Sequence, residues 1–250
     1  MAINYPKTLA ITGAVGLVAY FIYYLLQDDD KDEEYDIYKK DYDLPGSMAA
    51  NTAVEKMSRN DVLDLLAKIA ASQEKAKTLL AKLVKSIISN NFADSMEDIY
   101  NRIVKDVPVD PLKARGLTLF DLDYLVERYQ SDMAVREHIM KMIHIPPAES
   151  EGDDVDIGPD EIVIVYEFML DELQRLQAAE KPLAAQPNVN ANAASLTVQA
   201  IVAAKVQNKF GYTSVQIDRA ITKNQAELGM NTRFARLAMQ IQSEMTEITG

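Results

Sequence analysis

Residues 58–89 read "SRNDVLDLLAKIAASQEKAKTLLAKLVKSIIS", and this stretch decides the fold class. Its apolar positions follow one another at alternating steps of four and three residues, which keeps side chains on one face of a helix. Ser58, followed three residues later by Asp61, is typical of the capping box that begins a helix. The seam comprises Val62, Leu66, Ile69, Gln73, Ala76, Leu80, Leu83 and Ile87. The sequence therefore predicts a long amphipathic helix and an all-α fold.

The apolar face of this helix is wider than the seam of a two-stranded coiled coil. Further apolar residues flank it at Leu63, Leu65, Leu79, Val84 and Ile88. A wide face favours burial in a bundle over a free coiled coil, which remains the alternative. Gln73 and Ala76 weaken the middle of the seam, so a hairpin bend near Ser72 is also left open.

Shorter helices are predicted on both sides of an acidic segment. They cover about 95–106, about 119–130 with Thr118 and Asp121 as a capping box, and about 132–144, ended by Pro146 and Pro147. We expect them to form one bundle with the long helix over residues 58–145. An acidic linker at 146–158 then leads to a helix at 159–179, which we expect to pack on that bundle.

The carboxy-terminal part is predicted to be a separate docking module. Residues 180–194, "EKPLAAQPNVNANAA", resemble an extended linker, and three short helices are expected within 195–250. Thr213 with Gln216 predicts another capping box, and Gly211 and Gly229 are placed where left-handed caps end helices. Phe234, Ile241 and Met245 are the candidate partner-binding anchors of this module. The alternative is that these three side chains form its own core.

The amino-terminal part is predicted to be an uncleaved membrane anchor. Residues 8–26 are an apolar run without a charged side chain. A helix over this run would be roughly 28 Å long, close to the roughly 30 Å hydrocarbon core of a bilayer. The run ends in bulky residues, unlike a signal-peptide cleavage site. A buried helix of a soluble protein is the alternative.

We therefore expect a single transmembrane helix at 1–27 and an acidic tether at 28–57 that holds the helical units away from the bilayer. Small residues four apart could admit another helix, and tyrosines at one end suit the headgroup level. The membrane-anchor candidates are Ala10, Thr12, Ala14, Gly16, Tyr20, Tyr23 and Tyr24. Basic residues on the two flanks are nearly balanced, so the orientation stays open.

Composition and charge exclude several classes of protein. The 250-residue chain has a formal net charge of −12, which argues against a nucleic-acid partner. It has no cysteine, and therefore no disulfide framework and no thiolate nucleophile. None of its asparagines lies in a glycosylation sequon, which favours an organellar inner membrane or a membrane-lined particle over the secretory pathway.

No motif predicts catalysis or a cofactor. His138 and His144 are six residues apart and would point about 240° apart on a helix, so they cannot hold one metal ion together. The run "EGDDVDIGPDE" at 151–161 has the charge of a calcium loop but not its ligand spacing. We expect no enzyme, no metal, no cofactor and no small-molecule substrate.

The long helix carries a concentration of lysines in an otherwise acidic chain. These are Lys68, Lys75, Lys77, Lys82 and Lys85. They are candidates for contact with an acidic partner or with anionic headgroups, and a simple solvated helix face is the alternative.

These patterns favour a structural role in a membrane. We expect a single-pass, membrane-anchored scaffold or accessory subunit that contacts the protein subunits of a membrane-bound complex and contacts lipid through residues 8–26. The alternative is a membrane-tethered adaptor or assembly factor that binds clients transiently through residues 195–250.

Overall fold

A computed structural model describes residues 52–143 and 155–249, and within these ranges the chain is helical, without strands. The all-α prediction is confirmed for this part of the chain. The predicted anchor at 1–27, with its seven candidate residues, and most of the predicted tether lie outside the described residues. None of the helices in the described ranges combines the length and apolar character needed to cross a bilayer.

The described residues form two compact units. The first contains residues 52–75 and 108–143, and the second contains residues 76–107 and 155–249. The predicted bundle at 58–145 is thus divided. Its middle part belongs with the carboxy-terminal helices, which do not form a unit of their own.

The first unit is built from short helices and the beginning of the long one. Its elements are α1 (Thr52–Glu55), the first part of α2 (Arg59–Ser89), a 3₁₀ turn (Lys113–Arg115), α4 (Leu119–Arg128) and α5 (Met133–Ile143). Its core includes the fully buried side chains of Val62, Leu65, Leu66, Leu125 and Val135. The predicted Ser58–Asp61 cap forms, because the Ser58 N–H donates to the Asp61 carboxylate at 2.9 Å.

Helix α2 is continuous over 31 residues, so the hairpin bend near Ser72 does not form. Its residues up to Ala70 pack in the core of the first unit, and those from Ala76 onward pack in a core of the second. Gln73 lies between these two sets and is buried, with 9% exposure. The weak middle of the predicted seam therefore marks the place where one core ends and another begins.

The second unit contains the remaining helices. They are the end of α2, α3 (Met96–Ile103), α6 (Pro159–Ala179), α7 (Ala191–Phe210), α8 (Ser214–Lys223), α9 (Gln225–Met230) and α10 (Thr232–Thr249). Helix α7 packs against α3, α6 and α10, and α10 packs along α6. Burial on several sides of α7 explains its composition of Ala and Val, since small side chains let neighbouring helices approach. Four helices, α7 to α10, cover the carboxy-terminal region 195–250, where three were predicted.

The segment predicted as a free linker at 180–194 is packed into the second unit. Leu183 is 1% exposed and belongs to its core. The Glu180 carboxylate accepts the Met96 N–H at 2.9 Å, and the Tyr100 hydroxyl accepts the Asn190 N–H at 2.9 Å. The side chain of Asn190 also caps α7. The prolines of this segment follow the end of α6, but the segment does not separate an independent module from the rest of the second unit.

Local cap signals in the sequence predict some of the helix ends correctly. The Thr118–Asp121 and Thr213–Gln216 capping boxes are confirmed, and Gly211 ends α7 with φ of 79°. The prediction for Gly229 is wrong, because this residue lies inside α9 and Asn231 follows the end of that helix instead. Asn231 then accepts the backbone N–H groups of Arg233 and Phe234 at the start of α10.

Candidate functional site

The lysines singled out on α2 are all exposed. Lys68 and Lys75 are seven residues apart and lie on the same side of the helix within the first unit. Lys68 is paired with Asp64 at 2.8 Å. In the second unit, Lys82 and Lys85 share a side, whereas Lys77 lies about 140° away from Lys82 around the axis. A lipid or protein contact for these lysines stays a prediction.

Lys77 interacts electrostatically with the carboxyl group of Asp218 on α8. Burial raises the pKa of Asp218 to about 6, and the charge of Lys77 opposes this rise. Tyr166 of α6 is close enough for the Asp218 charge to raise its pKa further, beyond the larger effect of its own burial. Lys77, Tyr166 and Asp218 are therefore near enough to influence one another electrostatically within the second unit.

The candidate anchors Phe234, Ile241 and Met245 pack inside the second unit. The Phe234 ring lies 4.7 Å from the Tyr166 ring, measured between centroids. Met245 is 8% exposed, and Ile241 packs against the same apolar cluster. Ile241 and Met245 thus pack in a core with α6 and α7, and Phe234 packs in a separate cluster with α6 and α8, which corresponds to the alternative interpretation of these side chains. Their binding of a partner stays untested.

Exposed aromatic side chains lie instead on α4 of the first unit. Phe120 is 71% exposed and Tyr124 is 48% exposed. The opposite side of the helix buries Leu122, Leu125 and Val126. Because the core side and the cap fix the orientation of α4, both rings are held facing solvent.

Two carboxylates complete this face. Phe120, Asp123, Tyr124 and Glu127 occupy positions i, i+3, i+4 and i+7, and we call these four residues the α4 stripe. Asp123 is half-buried, and burial together with the neighbouring charge of Glu127 raises its pKa. Within the described ranges the Asp123 side chain has no hydrogen bond or ion pair. The stripe therefore combines exposed aromatic area with one half-buried carboxylate, that of Asp123, that has no cation among the described residues.

The prediction from sequence missed the α4 stripe although it placed the helix correctly. The signal was present, since two aromatic residues lie four apart on the side opposite Leu122 and Leu125. An amphipathic pattern cannot by itself say which of two apolar sides of a helix is covered, because both sides contain large apolar residues. In the structure, only the side of α4 that carries Leu122 and Leu125 is buried.

An open cleft of about 610 Å³ lies in the second unit. It is lined by Glu97, Glu180, Lys181, Pro182, Ala185, Gln186 and Pro187. Glu180 is already bound to the Met96 backbone, and the remaining lining mixes acidic, basic and apolar groups. This lining favours no particular ligand.

Across the described ranges, no three His, Cys, Asp or Glu side chains come together as metal ligands would. The His138 ring donates from Nδ1 to the Ala134 carbonyl of its own helix at 2.9 Å, and His144 lies outside the described residues.

No protein-family model matches the chain, and no curated protein or solved structure shows significant similarity to it. The physical features of the two units are therefore the basis for a functional proposal.

Proposed function

We propose that the protein is a membrane-anchored structural subunit that holds a larger assembly together through helix–helix contacts. The observation that carries this proposal is the exposed aromatic pair Phe120 and Tyr124 on a helix whose other side is fixed in a core. The apolar run at 8–26 supports the membrane anchor.

An exposed pair of aromatic rings is well suited to a protein interface. Aromatic side chains contribute large contact areas at low conformational cost and dominate the energetics of many interfaces. A rigid, capped helix also favours binding, because its side chains need little reorganisation when a partner binds. These properties fit a subunit with a lasting contact in an assembly.

The adaptor alternative receives less support. It required a separate carboxy-terminal module with free apolar anchors. The helices of residues 195–249 instead share a core with α3 and α6, and Phe234 and Met245 are packed within that unit. A transient client would have to compete with these contacts.

Membrane extraction and native electrophoresis test the proposal. In the native host, the full-length chain should stay in the membrane pellet after an alkaline carbonate wash, and a variant lacking residues 8–26 should be released. After mild detergent extraction, most of the full-length chain should comigrate with a large complex. Release by carbonate, or migration mainly as a free protein, would contradict the proposal.

A further inference from the structure

The geometry points to a specific occupant for the α4 stripe: a basic amphipathic helix of a partner protein. This inference rests on the proposed function and names the class of partner bound at the same surface. It is carried by the spacing and exposure of the stripe and by the charge of Asp123.

The spacing of the stripe fits another helix. Residues at i, i+3, i+4 and i+7 form a continuous ridge along one side of a helix, and such ridges pack into the groove of a neighbouring helix. Phe120 and Tyr124 would be the apolar anchors, because they are the large exposed side chains of the ridge. The ridge is about two turns long, which matches a short helical contact.

The charge of the stripe selects a basic occupant. Asp123 is half-buried and has no cation within the described ranges, so a lysine or arginine from outside would compensate it. A cation that reaches this carboxylate would also lie near the faces of the exposed rings, where it gains a cation–π contact.

The same charge disfavours the other candidate occupants. The chain's own segment at 28–51 carries nine Asp or Glu and three Lys residues, and the segment at 144–154 carries four Asp or Glu and no Lys or Arg. Both would be repelled by Asp123, as would anionic lipid headgroups. A second copy of the chain also brings a net charge of −12.

Binding of designed peptides to the full-length chain in detergent micelles tests this inference. Three labelled peptides of about five helical turns would be compared by fluorescence anisotropy. One has a leucine stripe flanked by lysines, one is a scramble of the same composition, and one has glutamate in place of lysine. We expect the first to bind about tenfold or more tightly than either of the others.

Variants of the stripe should remove this preference. The double substitution Phe120→Ser and Tyr124→Ser, and separately Asp123→Lys, should each weaken binding of the first peptide by about tenfold or more. The matched controls are Met239→Ser, an apolar residue 53% exposed on α10, and Asp106→Lys, an exposed carboxylate in the second unit. Both controls should leave the affinity within about twofold of wild type. Circular dichroism checks that every variant is folded.

Several results would overturn the inference. Equal binding of the scrambled peptide, or unchanged binding by the stripe variants, would mean that only the net charge of the chain attracts the peptide. A photoreactive phenylalanine analogue at position 120 provides a second readout. Crosslinking of this analogue to the basic peptide supports the inference. Crosslinking to lipid, to residues 1–51 or to a second copy of the chain, when the basic peptide is present, contradicts the inference.

The outcome is distinguishable from failure of the proposed function. Peptide binding requires no native membrane. If the chain shows no preference among the peptides but still comigrates with the native complex, only the inference of a basic-helix partner is overturned. If the chain prefers the basic peptide but migrates as a free protein in native electrophoresis, only the structural-subunit proposal is overturned.

Discussion

At the scale of single residues, Asp218 is the group whose ionisation the fold opposes most clearly. Burial raises its pKa to about 6, and the charge of Lys77 only partly opposes this rise. The unfolded value is about 3.9. Because the folded pKa is the higher one, the folded state binds the proton more tightly, and the stability from this group is lost as pH rises from about 4 through 6.

Asp218→Asn should therefore stabilise the protein at neutral pH. Removing the charge eliminates the cost of ionising a buried carboxyl, which we expect to raise the free energy of unfolding at pH 8 by about 1–2 kcal/mol. The gain should shrink as pH is lowered and vanish near pH 4. Urea denaturation of both proteins across this range measures it.

The control for this prediction is Asp106→Asn, which removes an exposed carboxylate from the same unit. It should change the stability little at any of these pH values. A variant Asp218→Asn that is less stable than wild type at pH 8 would show that the contact with Lys77 outweighs the cost of burial.

At the scale of elements, the start of α4 depends on a local cap. The Thr118 hydroxyl accepts the Asp121 N–H at 3.2 Å, and the Asp121 carboxylate accepts the Thr118 N–H at 2.7 Å. Thr118→Ala should lower the free energy of unfolding by about 1 kcal/mol, because an N–H of the first turn loses its partner. Thr232→Ala, at an exposed threonine that begins α10, should change it by less than about 0.5 kcal/mol. Thermal denaturation compares the two, and equal effects would contradict the role of the cap.

Local signals explain which elements were predictable. The Ser58, Thr118 and Thr213 caps need only residues three positions away, so the sequence placed the helix starts well. The Ser95–Asp98 box has the same pattern and could have been found in the same way. The prediction for Gly229 is wrong because glycine is tolerated within a helix, and Asn231 follows the end of α9 in its place.

Longer-range pairing explains what the sequence could not predict. Residues 76–107 belong with α6–α10 because Leu83 and Ile103 pack on Leu196 and Ala200 of α7, more than ninety positions along the chain. Periodicity identifies an apolar face but not the face that covers it. For the same reason the sequence could not predict the exposure of Phe120, and it left two alternatives for Phe234.

At the scale of the whole molecule, the carboxy-terminal helices are needed for the second unit to fold. Helix α7 contributes ten buried residues, and α10 packs along α6. Removing residues 195–250 should therefore destabilise what remains of this unit, with a loss of helical circular dichroism larger than the deleted share of helix. Increased proteolysis within 159–179, measured by mass spectrometry, is the accompanying readout. A truncated chain that keeps α6 protected would show that the second unit does not depend on α7.

The central claim is that the protein joins an assembly through the exposed aromatic residues of α4. Native electrophoresis of membranes that carry the Phe120→Ser and Tyr124→Ser double variant tests it most directly, with Met239→Ser as the control. We predict that the double variant stays in the membrane pellet but leaves the large complex, while the control comigrates with it like wild type. A double variant that remains in the complex at the wild-type level would contradict the claim.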